Sequence, residues 1–396
     1  MGPFESRQLP LSPEFSLVAA CCRWPRSVRR DAAVRDAAAG VDWDRMLEVA
    51  RRHRVEGLVH DGLAAAGIAA APTVAADLTR AAGRIARDNL LFAAEAHRLD
   101  LCFTEAGILF LFVKGVTLNM LAYGTMALKQ AADIDMVVDP AGYERAIDAA
   151  AAAGYRCIQP GPEPSRAQII AWSKRTKHSI WTRAGLFLEL HTAFVDSAQM
   201  LPEVSVASPR QRVALGGGIT LPTLAKEELF AYLCVHGATH AWSRLKWLAD
   251  AAAFVAGEEP EAIEHLYRCS IRLGAGRSAA QALLLARDLL GLPLPAGLEA
   301  ELRRDRAVRW LVRVAKGAMA GSGARELDEM TFGTAAIHLS HFRLKRGWRF
   351  KLHELRRKLA REGGDGKGDG PTGLVASILA GPRWLARRAR RAAAPR

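Results

Sequence analysis

Apolar residues recur at three- and four-residue intervals over most of the chain, and one internal stretch breaks that rhythm. From Leu17 to about Leu101 the spacing predicts helices. In "VDWDRMLEVARRHRVEGLVHDGLAAAG" the apolar positions are Trp43, Met46, Leu47 and Ala50, then Val55, Leu58 and Val59, with Gly67 as the stop. A second helical stretch, "AADLTRAAGRIARDNLLFAAEAHRLDLCFTEAG", ends at Gly107. The period then shortens. "ILFLFVKG" (Ile108–Gly115) is a continuous apolar run of strand length, and "DIDMVV" is another. "AGYERAIDAAAAAGY" predicts a helix stopped at Gly154, and "HSIWTRAGLFLELHTAF" predicts two strands, Ser179–Thr182 and Leu186–His191, joined at Arg183-Ala184-Gly185. After "GGGITLPTLAKEELFAYLCVHGATHAWSRLKWLADAAAFV" the helical period returns, up to about Met330.

Strands and helices thus mix from 108 to about 195 inside an otherwise helical chain, which predicts a small core of both. The expected organisation is a flexible N-terminus (1–16), a helical segment (17–100), a mixed core (101–225), a second helical segment (226–340) and a basic tail with a Gly-rich linker (341–396).

Charge sharpens that last boundary. The net charge of the 396 residues is +14, yet residues 341–396 alone carry 16 Lys or Arg against 4 Asp or Glu. The body is close to neutral, which argues against nucleic acid as its principal substrate. Within the tail, "FRLKRGWRFKLHELRRKLAR" predicts a basic amphipathic helix suited to an anionic membrane surface, a nucleic acid or an acidic partner. A solvated helix followed by a disordered basic end fits the same composition. No apolar stretch approaches the ~20 residues of a membrane span. The opening "MGPFESRQLPLSPEF" lacks a basic start and apolar run, so a cytoplasmic protein, peripheral to a membrane if the tail binds one, is expected. The six cysteines show no CxxC spacing and suit ordinary packing.

The candidate chemistry lies in "AADIDMVVDP", which sets two carboxylates into an apolar strand. Strand side chains alternate, so Asp133 and Asp135 share a face while Ile134 turns to the core. Two anions side by side repel unless a cation holds both. A third acid, Glu189, interrupts the apolar strand "LFLELH" and shares its face with His191. Together the acids would make an oxygen-rich ligand set for a hard divalent cation. Upstream, Lys114 and Gly115 end a strand, where glycine lets backbone approach a ligand closely.

These motifs, in order, resemble a known family. "FVKGVTLNMLAYG…ALKQAADIDMVVD", then "FLELHTAF", then "HGATHAWSRLKWLADAAAFV" are similar to the uncharacterised nucleotidyltransferase family of the polymerase-β-like superfamily, over about residues 40–330. The resemblance implies an α+β fold, mainly helical overall, with a small mixed-sheet nucleotidyltransferase core between helical segments. It implies an enzyme that moves a nucleoside monophosphate from an NTP to an unidentified acceptor with Mg²⁺ or Mn²⁺. Asp133, Asp135 and Glu189 would be catalytic and hold the metals, and Lys114, Gly115 and Lys129 would bind nucleotide phosphates. Lys129 stands where the family usually has Arg, and Val116 follows the glycine where the wider superfamily has Ser. Those two departures motivate a rival reading, a catalytically silent member that binds a nucleotide or partner.

His236 and His240 stand four apart on a predicted helix, a spacing that can bind zinc, but Gly237 occupies the place where a metalloprotease needs Glu. Packing is the simpler reading, with the family pattern placing His236 near the site. His191 is expected either behind the acids or in a structural role. Tyr123 is expected to pack or to line the pocket, and Trp242, Leu245, Trp247 and Leu248 to form core. Asp250 is expected to orient Lys246 or Arg244, or to cap. His178 is expected at a strand end.

Overall fold

Five helices precede the first strand in the computed structural model, which describes residues 11–320 and 333–362. They are α1 (Pro13–Cys21), α2 (Val28–Ala37), α3 (Trp43–His53), α4 (Glu56–Ala66) and α5 (Pro72–Glu105). Side-chain oxygens start the first three: Ser12 accepts from the Phe15 N–H, Ser27 from Arg30 and Asp42 from Arg45. Helix α1 begins inside the stretch expected to be flexible, because Phe15 is 3 % exposed and anchors it to the core. The pattern from Trp43 to Gly67 is not one helix. Arg54 takes a left-handed conformation (φ 54°) and splits it into α3 and α4, while Gly67 ends α4 as the spacing predicts.

The mixed core follows: β1 (Phe110–Phe112), α6 (Val116–Tyr123), β2 (Ile134–Val138), α7 (Tyr143–Ala152), β3 (Arg156–Gln159), α8 (Arg166–Thr176), β4 (His178–Arg183) and β5 (Leu186–His191). The strands form one sheet in the order β1-β2-β5-β4-β3. The pair β2–β5 is parallel and its neighbours are antiparallel. A hairpin, β6 (Arg210–Gly216) and β7 (Ile219–Leu224), follows this sheet. The sequence pattern had not indicated β3, α8 or the hairpin. Gly-Gly-Gly at its tip, all with positive φ, obscured the alternation of its two short strands.

Eight helices complete the described chain: α9 (Lys226–Thr239), α10 (Leu245–Val255), α11 (Pro260–Arg272), α12 (Gly276–Leu285), α13 (Ala296–Arg304), α14 (Arg306–Met319), α15 (Gly333–His341) and α16 (Trp348–Glu362). The fold is α+β, mainly helical, with a small five-stranded mixed sheet.

Two buried clusters hold it together. One joins helices from both ends of the chain, with Leu17, Met46 and Leu58 packed in the same core as Phe230, Trp242, Leu283 and Leu311. The other lies on the sheet and takes Phe92, Leu99 and Phe103 from the second half of α5, with Ala146 and Ala150 from α7. Helix α5 therefore ties the sheet to the helical body.

At the start of the segment expected as a basic tail, the chain packs on the helical body. Leu344 and Phe350 are 2 % and 3 % exposed and belong to the helical core. The Lys345 ammonium donates to the Gln199 carbonyl at 2.7 Å, and Arg346 pairs with Asp305 at 3.2 Å. Apolar spacing within the segment drives this docking, which a charge count alone conceals. The Gly-rich linker and the last basic stretch lie outside the described residues. Among the described residues, no helix is long and apolar enough to cross a membrane.

Candidate active site

The sheet's parallel pair fixes the site. Across β2–β5, Asp135 is the register partner of Glu189 and Val137 that of His191. Register partners of a parallel pair project to the same side, so Asp135, Glu189 and His191 converge on one face. Their ligand atoms all lie within 4.8 Å of one another. His191 Nε2 is 3.1 Å from Asp135 Oδ1 and 3.1 Å from Glu189 Oε2. Asp133 sits one residue before β2, its carboxyl beside that of Asp135. His191, left open by the sequence, thus stands among the acids, while Asp133 flanks the trio and is not one of its three close-set members.

An acid as deeply buried as Asp135, whose side chain is 2 % exposed, needs a counter-charge. Lys114 supplies it, with Nζ 2.8 Å from Asp135 Oδ1. Burial raises the Asp135 pKa, but Lys114 and His191 outweigh it and hold the carboxyl well below the usual carboxylate range. Burial also acts on Lys114, in the opposite sense, and the charge of Asp135 overcomes it to keep the ammonium protonated. Asp133 is pushed up to about 7, first by burial and then by the Asp135 charge. Burial raises Glu189 too, yet its contact with His191 leaves the net shift downward.

Gly115 follows, with φ 63° and ψ −131°, a conformation that only glycine adopts readily. A Cβ there would meet nothing closer than 3.6 Å, so the backbone angle and not crowding demands the glycine. This turn starts α6, and the Thr117 hydroxyl braces it by donating to the Lys114 carbonyl at 2.9 Å. Lys114, Gly115, Val116, Asp133 and Asp135 line one narrow pocket.

Lys129 does not face that pocket. It is buried, and its ammonium forms an ion pair with Asp250 of α10. The other Asp250 oxygen accepts from the Tyr123 hydroxyl at 3.1 Å. The Lys129 carbonyl accepts from Asn89 and Asn119, each at 2.7 Å, and Asn89 Oδ1 accepts from the Ala131 N–H at 2.8 Å. Two buried asparagines therefore hold the loop that delivers Asp133. Sequence reasoning missed both. Asn89 is a polar residue on the inward face of α5, in line with Ile85 and Phe92, and that was the available signal.

Aromatic rings continue from the acids toward α10. Tyr232 senses the charges of Lys114 and Asp135, and its ring lies 5.9 Å from that of His236. His236 lies 4.8 Å from His240, which stacks on Trp247 at 4.6 Å and 22°. Burial, then the Lys114 charge, hold His236 well below the ordinary imidazole value, and the same causes push His240 to about 4. His178 packs against His191 with ring centroids 5.0 Å apart. Between α9 and α10, Ala241 and Trp242 both have positive φ, 49° and 52°. Such strain in a bulky residue persists only where the surroundings over-determine it. Here the Trp242 ring, wholly buried, fills the space beside Gly237.

The chain belongs to the uncharacterised nucleotidyltransferase family, whose model matches residues 39–291. That span begins ahead of α3, takes in the whole sheet and the hairpin, and ends at Gly291 beyond α12. No curated protein matches the chain.

Proposed function

We propose that the protein is a metal-dependent nucleotidyltransferase that moves a nucleoside monophosphate from an NTP to an acceptor hydroxyl or phosphate. The observation that carries this is the in-register pairing of Asp135 with Glu189, with His191 between them, inside a chain of that family. The donor set fits a divalent ion: two carboxylates and an imidazole at close quarters, with Asp133 beside them. Asp135 and Glu189 would hold it, and His191 Nε2 offers the third donor. A divalent ion bound there supplies charge neutralisation for the phosphates and lowers the pKa of the acceptor oxygen.

The chain's own groups do the rest. Gly115 exposes backbone N–H at the start of α6, where phosphate oxygens are favoured. Lys114, held against Asp135, is a cation that can pass to a phosphate once the acid is otherwise neutralised. In the reaction the acceptor oxygen bonds to the α-phosphorus, the α–β anhydride bond breaks, and pyrophosphate leaves with that bond's electron pair.

Incubation with each NTP and Mg²⁺ or Mn²⁺, followed by pyrophosphate detection and intact-mass analysis of acceptors, tests the reading. Metal-dependent pyrophosphate release by the wild type, absent in Asp135→Asn, is expected. The Lys114–Asp135 pair favours a second reading, because it satisfies the acid without any ion. Saturable NTP binding with no pyrophosphate release under any condition would establish that silent form.

A further inference from the structure

Helix α16 turns two different faces to its surroundings. Phe350, Glu354 and Lys358 follow one another at four-residue intervals, all are buried, and they seat the helix on the body. Polar contacts fix the same side. Glu354 pairs with Arg357, and the Lys358 ammonium lies 2.9 Å from Nδ1 of His341 in α15. The other ring nitrogen of His341 is 2.9 Å from the Thr239 carbonyl at the end of α9.

The opposite face has no such partners among the described residues. Trp348, Leu352 and Leu355 lie four and three residues apart, which sets them on one stripe, and they are 68 %, 36 % and 37 % exposed. Helical geometry puts Lys351 along one side of that stripe and Arg349 and Arg356 along the other. All three cations are exposed, and among the described residues none is in an ion pair. The Arg349 guanidinium lies 5.8 Å from the centre of the Trp348 ring, so cation and apolar ring sit side by side. The one acid between Trp348 and Lys358 is Glu354, and it belongs to the buried face. A single exposed apolar residue is ordinary, whereas a tryptophan aligned with two leucines inside a cationic rim suits a boundary between apolar and aqueous phases.

Charge decides what covers this face. The sequence beyond Glu362 is itself basic, with Lys367 and six Arg against Asp365 and Asp369, so the rim does not attract it. A second copy of the chain would bring the same positive face. A nucleic acid would meet the cations but leave Leu352 and Leu355 in water. An anionic lipid surface takes both elements: headgroup phosphates meet Arg349, Lys351 and Arg356, and the stripe enters the boundary with the acyl chains, where tryptophan is favoured. We propose that this face of α16 docks the protein on an anionic lipid surface. Because the opposite face is seated on the body, the helix lies in the membrane plane and holds the folded body against it. The arginines beyond Glu362 add a further attraction to the same surface. Lipid docking requires nothing of the acid cluster and is independent of nucleotidyl transfer.

Co-flotation of the full chain with vesicles of phosphatidylcholine plus phosphatidylglycerol, and with vesicles of phosphatidylcholine alone, tests it, alongside binding to a duplex DNA. The wild type should float with the anionic vesicles and not with the neutral ones, less so as salt is raised. The combined variant Trp348→Ser, Leu352→Ser and Leu355→Ser should bind the anionic vesicles roughly tenfold or more weakly, because it removes the inserted apolar area and leaves every charge in place. Arg349→Gln, Lys351→Gln and Arg356→Gln together should weaken binding and flatten its salt dependence. Melting curves check that both variants are folded, and Trp348→Gln alone serves if the serine variant is not. Wild-type vesicle affinity in a folded serine variant would overturn the inference, since charge alone would then suffice. A wild type that floats with neither vesicle, or that binds the duplex and not the vesicles, would overturn it as well.

Discussion

Asp135 and Glu189 face each other in register across β2 and β5, the one parallel strand pair among the described residues. Neither acid depends on a loop for its position. Strand geometry sets their separation, and His191 locks it by touching both at 3.1 Å. Asp135→Asn should therefore weaken Mn²⁺ binding and lower metal-dependent pyrophosphate release by at least about 100-fold, with far-UV circular dichroism unchanged. Metal affinity retained by Asp135→Asn and by Glu189→Gln would place the ion elsewhere.

The buried Lys129–Asp250 pair predicts a stability effect. Lys129→Met leaves Asp250 charged and unpaired and should cost roughly 3–5 kcal/mol in urea unfolding. Asp250→Asn should cost a similar amount, and the double variant less than the sum of the two. Additive losses would mean that the two groups do not act as a pair.

His53 predicts how stability responds to acid. It is wholly buried and accepts the Leu245 N–H at 2.9 Å through Nδ1, so that nitrogen must be unprotonated. Burial, then the neighbouring Arg52 charge, push its pKa down to about 3. The unfolded chain, near the ordinary imidazole value of about 6.5, takes up the proton first. Stability from this residue is thus complete above pH 6.5 and is lost as pH falls toward 3, by up to about 1.4 kcal/mol per unit. Urea midpoints from pH 7 to pH 4 should fall, and the slope should flatten in His53→Gln.

Gly237 and Gly83 make an opposed pair of tests. A Cβ at Gly237 would land within the Trp242 ring, so Gly237→Ala should cost about 1–3 kcal/mol and disturb the His240–Trp247 stack. Gly83, inside α5, has nothing within 4 Å, so Gly83→Ala should stabilise by about 0.5–1 kcal/mol. Thermal melts of both variants and tryptophan fluorescence of the first decide it.

Truncation tests the docked start of the basic segment. A chain ending at Ser340 loses Leu344 and Phe350 from the core and should be about 2–5 kcal/mol less stable. One ending at Glu362 keeps those contacts and should be the more stable of the two. Equal midpoints for the two truncations would show that α16 contributes nothing to stability.

Local patterns made the strands that carry the acids legible. The alternation around Asp135 and Glu189 placed each on its strand face, and the helical period found the flanking segments. Features that depend on distant partners stayed hidden. Lys129 looked like a loop cation near the acids because its counter-ion, Asp250, is 121 positions away in the chain. His191 could not be assigned because its role depends on the register of β5 against β2. The hairpin β6–β7 escaped notice through its glycine tip, and the docking of α16 through a charge count that masks its buried Phe350. The break at Arg54 had no warning glycine.

The parallel pairing also has a consequence for how the protein is made. The chain between β2 and β5 contains α7, β3, α8 and β4, so the two acids cannot meet until all of these have been synthesised and placed. Such non-local pairing forms slowly and late. The Lys129–Asp250 pair extends the wait, since α10 must also arrive to anchor the loop before Asp133. A nascent or partly folded chain therefore has no means of assembling its acids, and the acid cluster exists only in molecules that have finished folding.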